Sequence, residues 1–548
     1  MSVSWSDLAD ALFPDVELSI QDYIQQYPER DVPVTRFAPS PTGFLHIGGV
    51  FSAFLAHKYI KQEWWKFILR IEDTDQKRLI DWGVDLIMDG MRTFGLAIDE
   101  WPVGENNAWV GDYGPYVQSE RKAIYRSFVK HLVAQGKAYP CRMQQEEIDS
   151  IREQQMKSKI MPWIYGNYSV WRNKDPEEIM QQLQDIWPCE VIRFRSHGNT
   201  QKKIIFDDML RGKINMSDNY NDIVVLKKDG LPTYHLAHIA DDFLMRTSHV
   251  IRGEERLTSV PLHLQLFAAF DLQPPLYCHL ASLLKTEDGK KRKLSKRKDP
   301  EADVSYFWPE GYVSQGILSY LMTIIDPHYE EWQKANIDHS FDEYTISLQK
   351  MNKAWALFDL QKLDFMNNLY LSGLSNQDLF DQTKQWAKTY DTTLFHYMET
   401  EPDYAFAALS IERHTEKDPK RYSTLKDVAP NILFFFDTER EKMQADKPAL
   451  PDMFTSAIIK EFVSAYAEKL DLHMDTMEWF TQLKEIGETL WFAGNNAAFK
   501  QWWYIGKIGD LAMFLRIQLC CSTRTPDLLS VMKVMGKERV IERLSRAL

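Results

Sequence analysis

RFAPSPTGFLHIGG, Arg36 to Gly49, is the stretch that decides the fold. It begins inside the run VTRFA, from Val34, which reads as a strand, and it ends in GVFSAFLAHKYIK, Gly49 to Lys61, which reads as a helix. A second strand, KFILRIE from Lys66, and a second helix, LIDWGVDLIMDGMRTFGL from Leu79, follow. Strand, loop, helix, strand is the start of a parallel α/β sheet. Gly43, Gly48 and Gly49 lie between strand and helix. Such a loop lets backbone approach phosphates, and a helix N-terminus favours negative charge. His46 sits where an imidazole can donate to a phosphate oxygen. A Gly-rich turn with a single His is more often only a structural turn, so the motif needs company.

Outward from this core the pattern changes twice. VIRFR from Val191, KKIIFDD from Lys202 and DIVVLKKDGLPTYHL from Asp222 read as strands, the last turning at Asp229-Gly230. SHVIRGE from Ser248 is another strand, and RLTSVPLHLQLFAAF from Arg256 a helix. Beyond about residue 330 helical spacing dominates, as in Phe454, Ile458, Phe462 and Tyr466. Thr525-Pro526-Asp527 reads as a helix start with Thr as the cap. The ending GKERVIERLSRAL places Val540, Ile541, Leu544 and Leu548 on one face of a docked helix.

The 548 residues carry a net charge of −13, with 44% hydrophobic and 26% charged residues. That is a globular balance, not a disordered one. The length suggests roughly three or four domains. No apolar run approaches the roughly 18 residues of a membrane span, and 5 cysteines are too few for a disulfide framework. A reducing, cytoplasmic setting is expected. A net acidic chain that binds nucleic acid must do so through local basic surfaces. The first 30 residues are acidic, unlike a transit peptide. They read either as an amphipathic extension (Leu8, Leu12, Phe13, Leu18, Ile20, Tyr23) laid on the first domain or as a partly ordered tail.

Three further segments carry chemistry. Between Lys285 and Lys298 eight of fourteen residues are basic. Lys290 with Gly289 and Lys293 to Arg297 read as a mobile cationic loop suited to a polyphosphate, although a lone basic run is commonly only a solvated face. ILRIEDTDQKR places Glu72, Asp73 and Asp75 directly after a strand, where α/β sheets bind ligands. An acid there can hold an amine or a ribose, and Asp75 reads as a helix cap. GLPTYHLAHIADDFLM and HVIRGEE set Tyr234, His238, Asp241, Asp242 and Arg252 in apolar surroundings. A buried Arg beside a Tyr hydroxyl is a carboxylate clamp. The plainer alternative is a structural ion pair between Arg252 and one of the aspartates.

In this order the four segments resemble the bacterial-type glutamyl-tRNA synthetase family, a class I aminoacyl-tRNA synthetase. RFAPSPTGFLHIGG looks like the family's HIGH motif, and KLSKR, Lys293 to Arg297, like its KMSKS loop. RIEDTD, TYHLA, ADDFLM and VIRGEE match further signatures. The resemblance implies an α/β Rossmann-type catalytic domain (31–111 and 236–288) with an inserted α+β connective domain (112–235) that grips the tRNA acceptor end. A KMSKS-loop and stem-contact region (289–375) and an all-α anticodon-binding half (376–548) follow. It implies ATP-dependent joining of L-glutamate to tRNA(Glu) through glutamyl-adenylate, by a monomer, with Mg²⁺ accompanying ATP.

By the same resemblance His46, Lys293, Ser295 and Lys296 are catalytic, and Gly48 and Gly49 take the nucleotide with His46 and Lys296. Arg36, Ser40, Glu72, Tyr234, His238 and Arg252 hold glutamate, and Arg421, in KRYSTL, contacts the anticodon. His238 stands where relatives usually carry a small polar residue. Cys141 and Cys189 lack paired spacing, so no zinc is expected, and Cys520-Cys521 read as buried apolar residues. Three other readings stay open: an enzyme that also charges tRNA(Gln), a catalytically silent tRNA-binding relative, and the truncated relative that glutamylates a modified tRNA base, which the length disfavours.

Overall fold

The computed structural model describes all residues except 1–2, 64, 104–107, 185–190, 200, 337–338, 354–355, 416–419, 496–498 and 501–502. They form two compact units, one of Met1–Tyr306 with Leu321–Asp359, the other of Phe307–Tyr320 with Leu360–Leu548.

The first unit is built on parallel strands. Val34–Phe37 pairs with Lys66–Leu69, and His249–Gly253 with Leu276–Leu280. The two pairs lie side by side, the Ser248 N–H donating to the Val34 carbonyl at 3.0 Å and the Thr35 hydroxyl to the His249 carbonyl at 2.7 Å. The helix Ile47–Lys61 packs beside them and buries Ile47, Val50, Phe54, Leu55 and Ile60. A helix apolar on so many sides belongs inside a domain. Such a sheet leaves its carboxyl strand ends open to ligands. Here those ends carry Arg36, Arg252 and, one residue beyond Leu280, Ala281, and Glu72 follows the second strand by three residues.

The antiparallel strands Ala138–Cys141, Val191–Phe194 and Val224–Lys227 form a separate sheet. The hairpin Lys203–Asp208 with Gly212–Ser217 instead extends the parallel sheet, Asp208 pairing with Tyr277. At the N-terminus the helices Trp5–Leu12 and Ile20–Gln26 each start with a capping box, Ser4 with Asp7 and Ser19 with Asp22. They bury Leu8, Leu12, Phe13 and Tyr23 in the core around the helix Lys122–Ala134, so the extension belongs to the fold.

The second unit is helical around one apolar core. Phe462 and Tyr466 are buried on the helix Ser456–Lys469, and the Trp479 indole donates to the Tyr466 hydroxyl at 2.8 Å. The final helix, Lys537–Ser545, buries Val540 and Leu544.

Local readings are corrected at several points. TYHL is not a strand: Tyr234–Leu244 is a helix that buries Leu236, Ala237, Ile239, Ala240 and Leu244 at helical spacing. Lys290–Lys293 is not loop but a strand paired with Leu283–Glu287. Asp288 and Gly289 between them have φ of 50° and 73°, as a tight two-residue hairpin requires. Asp527, not Thr525, caps the helix Leu528–Met535, because its carboxylate reaches the Ser530 N–H at 2.9 Å. Leu548 lies beyond the last helical turn and is exposed. Asp75 precedes a short 3-10 turn without capping it; its carboxylate pairs with Arg78 at 2.6 Å. Of the adjacent cysteines Cys520 is buried and Cys521 half-buried. Cys141 is buried, and Cys189 lies outside the described residues. No helix among the described residues is long and apolar enough to cross a membrane.

Candidate active site

At the carboxyl ends of the parallel strands lies a cleft of about 340 Å³. Arg36, His46, Gly48, Gly49, Glu72, Tyr234, Arg252 and Lys293 all line it. Residues more than 250 positions apart thus face one space.

One end of the cleft is built for anions. His46 is the N-cap of the helix Ile47–Lys61, its Nδ1 accepting the Gly48 N–H at 2.9 Å. Nδ1 is thereby an acceptor, and the ring proton belongs on Nε2. Burial, then the nearby Lys296 ammonium, lowers the His46 pKa below its ordinary 6.5, so the ring is neutral at neutral pH. A Cβ on Gly48 would meet the His46 Nδ1 at 3.1 Å, so any larger residue here would crowd the imidazole. Lys293 reaches the cleft from the hairpin, with Nζ 3.5 Å from Glu255. The rest of the KLSKR segment is ordered by Asp299. That carboxylate takes both terminal nitrogens of Arg292, at 2.6 and 2.8 Å, and the Ser295 N–H at 3.0 Å. Lys296 does not line the cleft; its Nζ lies 3.3 Å from Asp303 and donates to the Phe44 carbonyl, which ties this loop to the His46 turn.

The other end is built for a carboxylate. Arg252 is 7% exposed. Its Nε donates to His279 Nε2 at 3.0 Å, one terminal nitrogen to the Tyr234 hydroxyl at 3.0 Å and the other to the Arg256 carbonyl at 3.4 Å. A guanidinium has five N–H donors, so one remains on each terminal nitrogen. Among the described residues Arg252 makes no ion pair. The alternative of a pair with Asp241 or Asp242 therefore falls, because both are engaged elsewhere. Asp242 takes Arg70 at 2.6 Å and Arg36 at 3.1 Å, and Asp241 takes Arg121 at 2.7 Å. Against the opposing effect of burial, Arg36, Arg70 and His238 hold the Asp242 carboxyl well below its ordinary value. Glu72 points into the cleft beside Arg70, 3.3 Å away. Burial raises its pKa above the ordinary 4.5, against the pull of Arg70 and Arg36.

Three further expected residues are placed away from the cleft. His238 is fully buried, with Nε2 3.2 Å from the Tyr277 hydroxyl and Nδ1 2.9 Å from Asp242. Burial pushes its pKa down to about 3. It packs behind Tyr234, ring centroids 5.8 Å apart, and does not reach the cleft. Ser40 is exposed and does not line it. Ser295 contributes a backbone contact to Asp299, not a cleft group. In the helical unit Arg421 is half-buried and tied to Glu412 at 2.5 Å and to the Ile411 carbonyl at 3.2 Å. Arg256, not among the residues expected from the motifs, also lines the cleft, its guanidinium 4.3 Å from the Tyr234 ring centre. Its place three residues after Gly253, the end of the clamp strand, was a usable signal. His279 offered none, since its partners Asp208 and Arg252 lie 71 and 27 positions away, and the Asp242 partner of Arg70 lies 172 positions away.

Residues 33–365 match the family described as tRNA synthetases class I (E and Q), catalytic domain, and residues 497–548 match an anticodon binding domain. The chain is 39% identical to a glutamate–tRNA ligase of Clostridium perfringens (strain 13 / Type A) over 99% of this chain and 100% of the relative. It is 38% identical to the glutamate–tRNA ligase of Clostridium beijerinckii over 100% of both. A solved glutamate tRNA ligase from Elizabethkingia meningosepticum, in complex with its amino acid, is similar with a TM-score of 0.74 and 28% identity, covering 94% of this chain and 99% of the other. The match over the whole catalytic half, and over nearly the full length of these relatives, shows that the chain belongs to the class I tRNA synthetases of the E and Q family.

Proposed function

We propose that the chain activates L-glutamate with ATP and transfers it to tRNA(Glu), through glutamyl-adenylate and with release of pyrophosphate. The observation that carries this reading is Arg252: a buried guanidinium with no carboxylate partner among the described residues, beside a Tyr hydroxyl, in the same cleft as a helix N-terminus and Lys293. A buried cation without a counter-charge is costly, and an incoming carboxylate offsets that cost. The γ-carboxylate of glutamate takes the two remaining N–H groups of Arg252 and the Tyr234 hydroxyl. Glu72 takes the α-ammonium, which sets the α-carboxylate toward the nucleotide. Glutamine presents a neutral amide and leaves Arg252 uncompensated, so it is rejected.

ATP lies along Gly48 and Gly49, with its phosphates at the His46 turn. The neutral imidazole donates from Nε2, and Lys293 and Lys296 balance charge that develops on the phosphates as the α-carboxylate attacks. No covalent enzyme intermediate is required; the work is positioning and charge stabilisation. Lys296 must exchange Asp303 for phosphate to take part. Among the described residues no three His, Cys, Asp or Glu side chains converge as a metal cage. Mg²⁺ brought with ATP would be held chiefly by the triphosphate oxygens and would balance their charge, and no step here runs through it. The 2′-hydroxyl of the terminal tRNA adenosine then attacks the activated carbonyl. The helical unit, with Arg421 among its candidates, reads the anticodon, and the enzyme works in the cytoplasm as a monomer.

One charging assay tests this reading. Purified chain, ATP and labelled glutamate should charge purified tRNA(Glu). Charging of tRNA(Gln) as well would establish a non-discriminating enzyme. Failure with both, together with no glutamate-dependent exchange of pyrophosphate into ATP in the presence of tRNA, would leave only tRNA binding and sink the proposal.

A further inference from the structure

We propose that His279, held by Asp208, is the positioning residue of the carboxylate clamp, fixing the rotation of the Arg252 guanidinium from behind. The inference rests on the reading of Arg252 as the glutamate clamp and names what sets its geometry.

The chain of contacts is short and fully buried. The Asp208 Oδ2 lies 2.7 Å from His279 Nδ1 and also accepts the His279 N–H at 3.1 Å. The opposite ring nitrogen, Nε2, accepts the Arg252 Nε–H at 3.0 Å. Arg252 has no acceptor role, so His279 Nε2 must be the unprotonated nitrogen and Nδ1 the donor to Asp208. Asp208 therefore selects the tautomer that can receive Arg252. Both His279 and Asp208 are essentially removed from solvent, at 0% and 3% exposure.

The neutrality of the acceptor matters. A guanidinium must be oriented to meet a carboxylate through both terminal nitrogens. A carboxylate at position 279 would orient it too, but would neutralise it and compete with substrate. An imidazole fixes Nε while leaving the positive charge uncompensated for the ligand. Burial holds the His279 pKa below its ordinary value, and Arg252 adds to that against the Asp208 hydrogen bond, in keeping with a neutral ring.

Asp208 is itself fixed by the turn of its own hairpin. It ends the strand Lys203–Asp208, and its Oδ1 accepts the N–H groups of Leu210, at 3.1 Å, and Arg211, at 2.9 Å, in the hairpin turn. Arg211 in turn donates to the His279 carbonyl at 2.9 Å and pairs with Glu254 at 2.6 Å. The hairpin turn is thus fastened to the residue that aims the clamp.

The test is steady-state charging of tRNA(Glu) by the full chain, comparing wild type with His279→Asn and His279→Gln. Asn keeps a donor near Nδ1 for Asp208 and loses the acceptor for Arg252. Gln extends to the Nε2 position and restores an acceptor there. The expected result is a glutamate KM raised about tenfold or more in His279→Asn, as for a lost hydrogen bond to a charged group. The ATP KM should stay within about twofold, and His279→Gln should recover a glutamate KM within about threefold of wild type. KM does not scale with the fraction of enzyme folded, so partial loss of stability does not mimic this pattern. An unchanged glutamate KM in His279→Asn, equal rises for glutamate and ATP, or no recovery in His279→Gln would each overturn the proposal. Failure of the wild type to charge with glutamate would instead overturn the functional reading beneath it.

Discussion

Arg36, Arg70 and Arg121 are each paired with Asp241 or Asp242, whereas Arg252, equally sheltered, keeps two donors for a ligand. Arg252→Ala should raise the glutamate KM by roughly thirtyfold or more, the equivalent of about 2 kcal/mol for truncating one side of a buried charge pair. Tyr234→Phe removes one hydrogen bond and should cost only about fivefold. Steady-state kinetics at varied glutamate checks both, and an unchanged KM in Arg252→Ala removes it from the clamp. Glu72 gives a pH test. Burial raises its carboxyl above the ordinary 4.5, so it gains a proton sooner than an exposed glutamate as pH falls, and a neutral carboxyl no longer pairs with an ammonium. The glutamate KM should rise as pH is lowered toward about 5, where free glutamate's side chain, near 4.3, is still mostly ionised. In Glu72→Gln the KM should be high and flat over the same range. A wild-type KM independent of pH would show that Glu72 does not contact the substrate.

The basic hairpin shows how an element acquires order that its composition conceals. Four consecutive cations, Lys290–Lys293, have no alternation of polarity and read as solvated loop. The decisive signal was Asp288-Gly289, a strong two-residue hairpin turn, together with one acid, Asp299, ten residues after Gly289. Asp299 is 1% exposed and gathers Arg292, Lys285 and the Ser295 N–H. The Arg292 hydrogen bonds hold its pKa well below the ordinary 3.8. Asp299→Asn should loosen this segment, and trypsin should cut within Arg292–Lys298 about tenfold faster, since local opening exposes the backbone. Mass spectrometry of a digestion time course reads the outcome. Equal cleavage rates would mean that the hairpin alone, without Asp299, holds the loop.

At the scale of the whole molecule, the N-terminal residues act as core and not as tail. Leu8, Leu12, Phe13 and Tyr23 are buried with the helix Lys122–Ala134, and Asp10 and Asp15 pair with Lys130 and Arg126. Each such apolar side chain contributes about 1.5–3 kcal/mol as an upper estimate, whereas the exposed acids of these pairs add little. Deleting residues 1–30 should therefore lower the thermal unfolding midpoint by several degrees in calorimetry, and an unchanged midpoint would return the segment to the status of a tail. The net charge of −13 makes a second demand: contact with tRNA must rest on local cations and weaken as salt rises.

What the chain determined by itself is local. VTRFA, KFILRIE and SHVIRGE announce strands, the Pro- and Gly-rich turn before the helix announces an anion-binding loop, and the order of four motifs points to the family. These signals survive in one dimension because they express backbone preferences and side-chain periodicity over a few residues. Charge compensation depends on neighbours in space. Only the folded chain decides that Asp242 takes Arg36 from 206 positions away, and that His238 turns away from the cleft. Only the fold brings Asp208 and His279 together across 71 positions, leaving Arg252 a buried cation that pairs with no carboxylate among the described residues. The physical reason is that a hydrogen bond or ion pair is set by a few ångströms of distance, and sequence separation carries no measure of it.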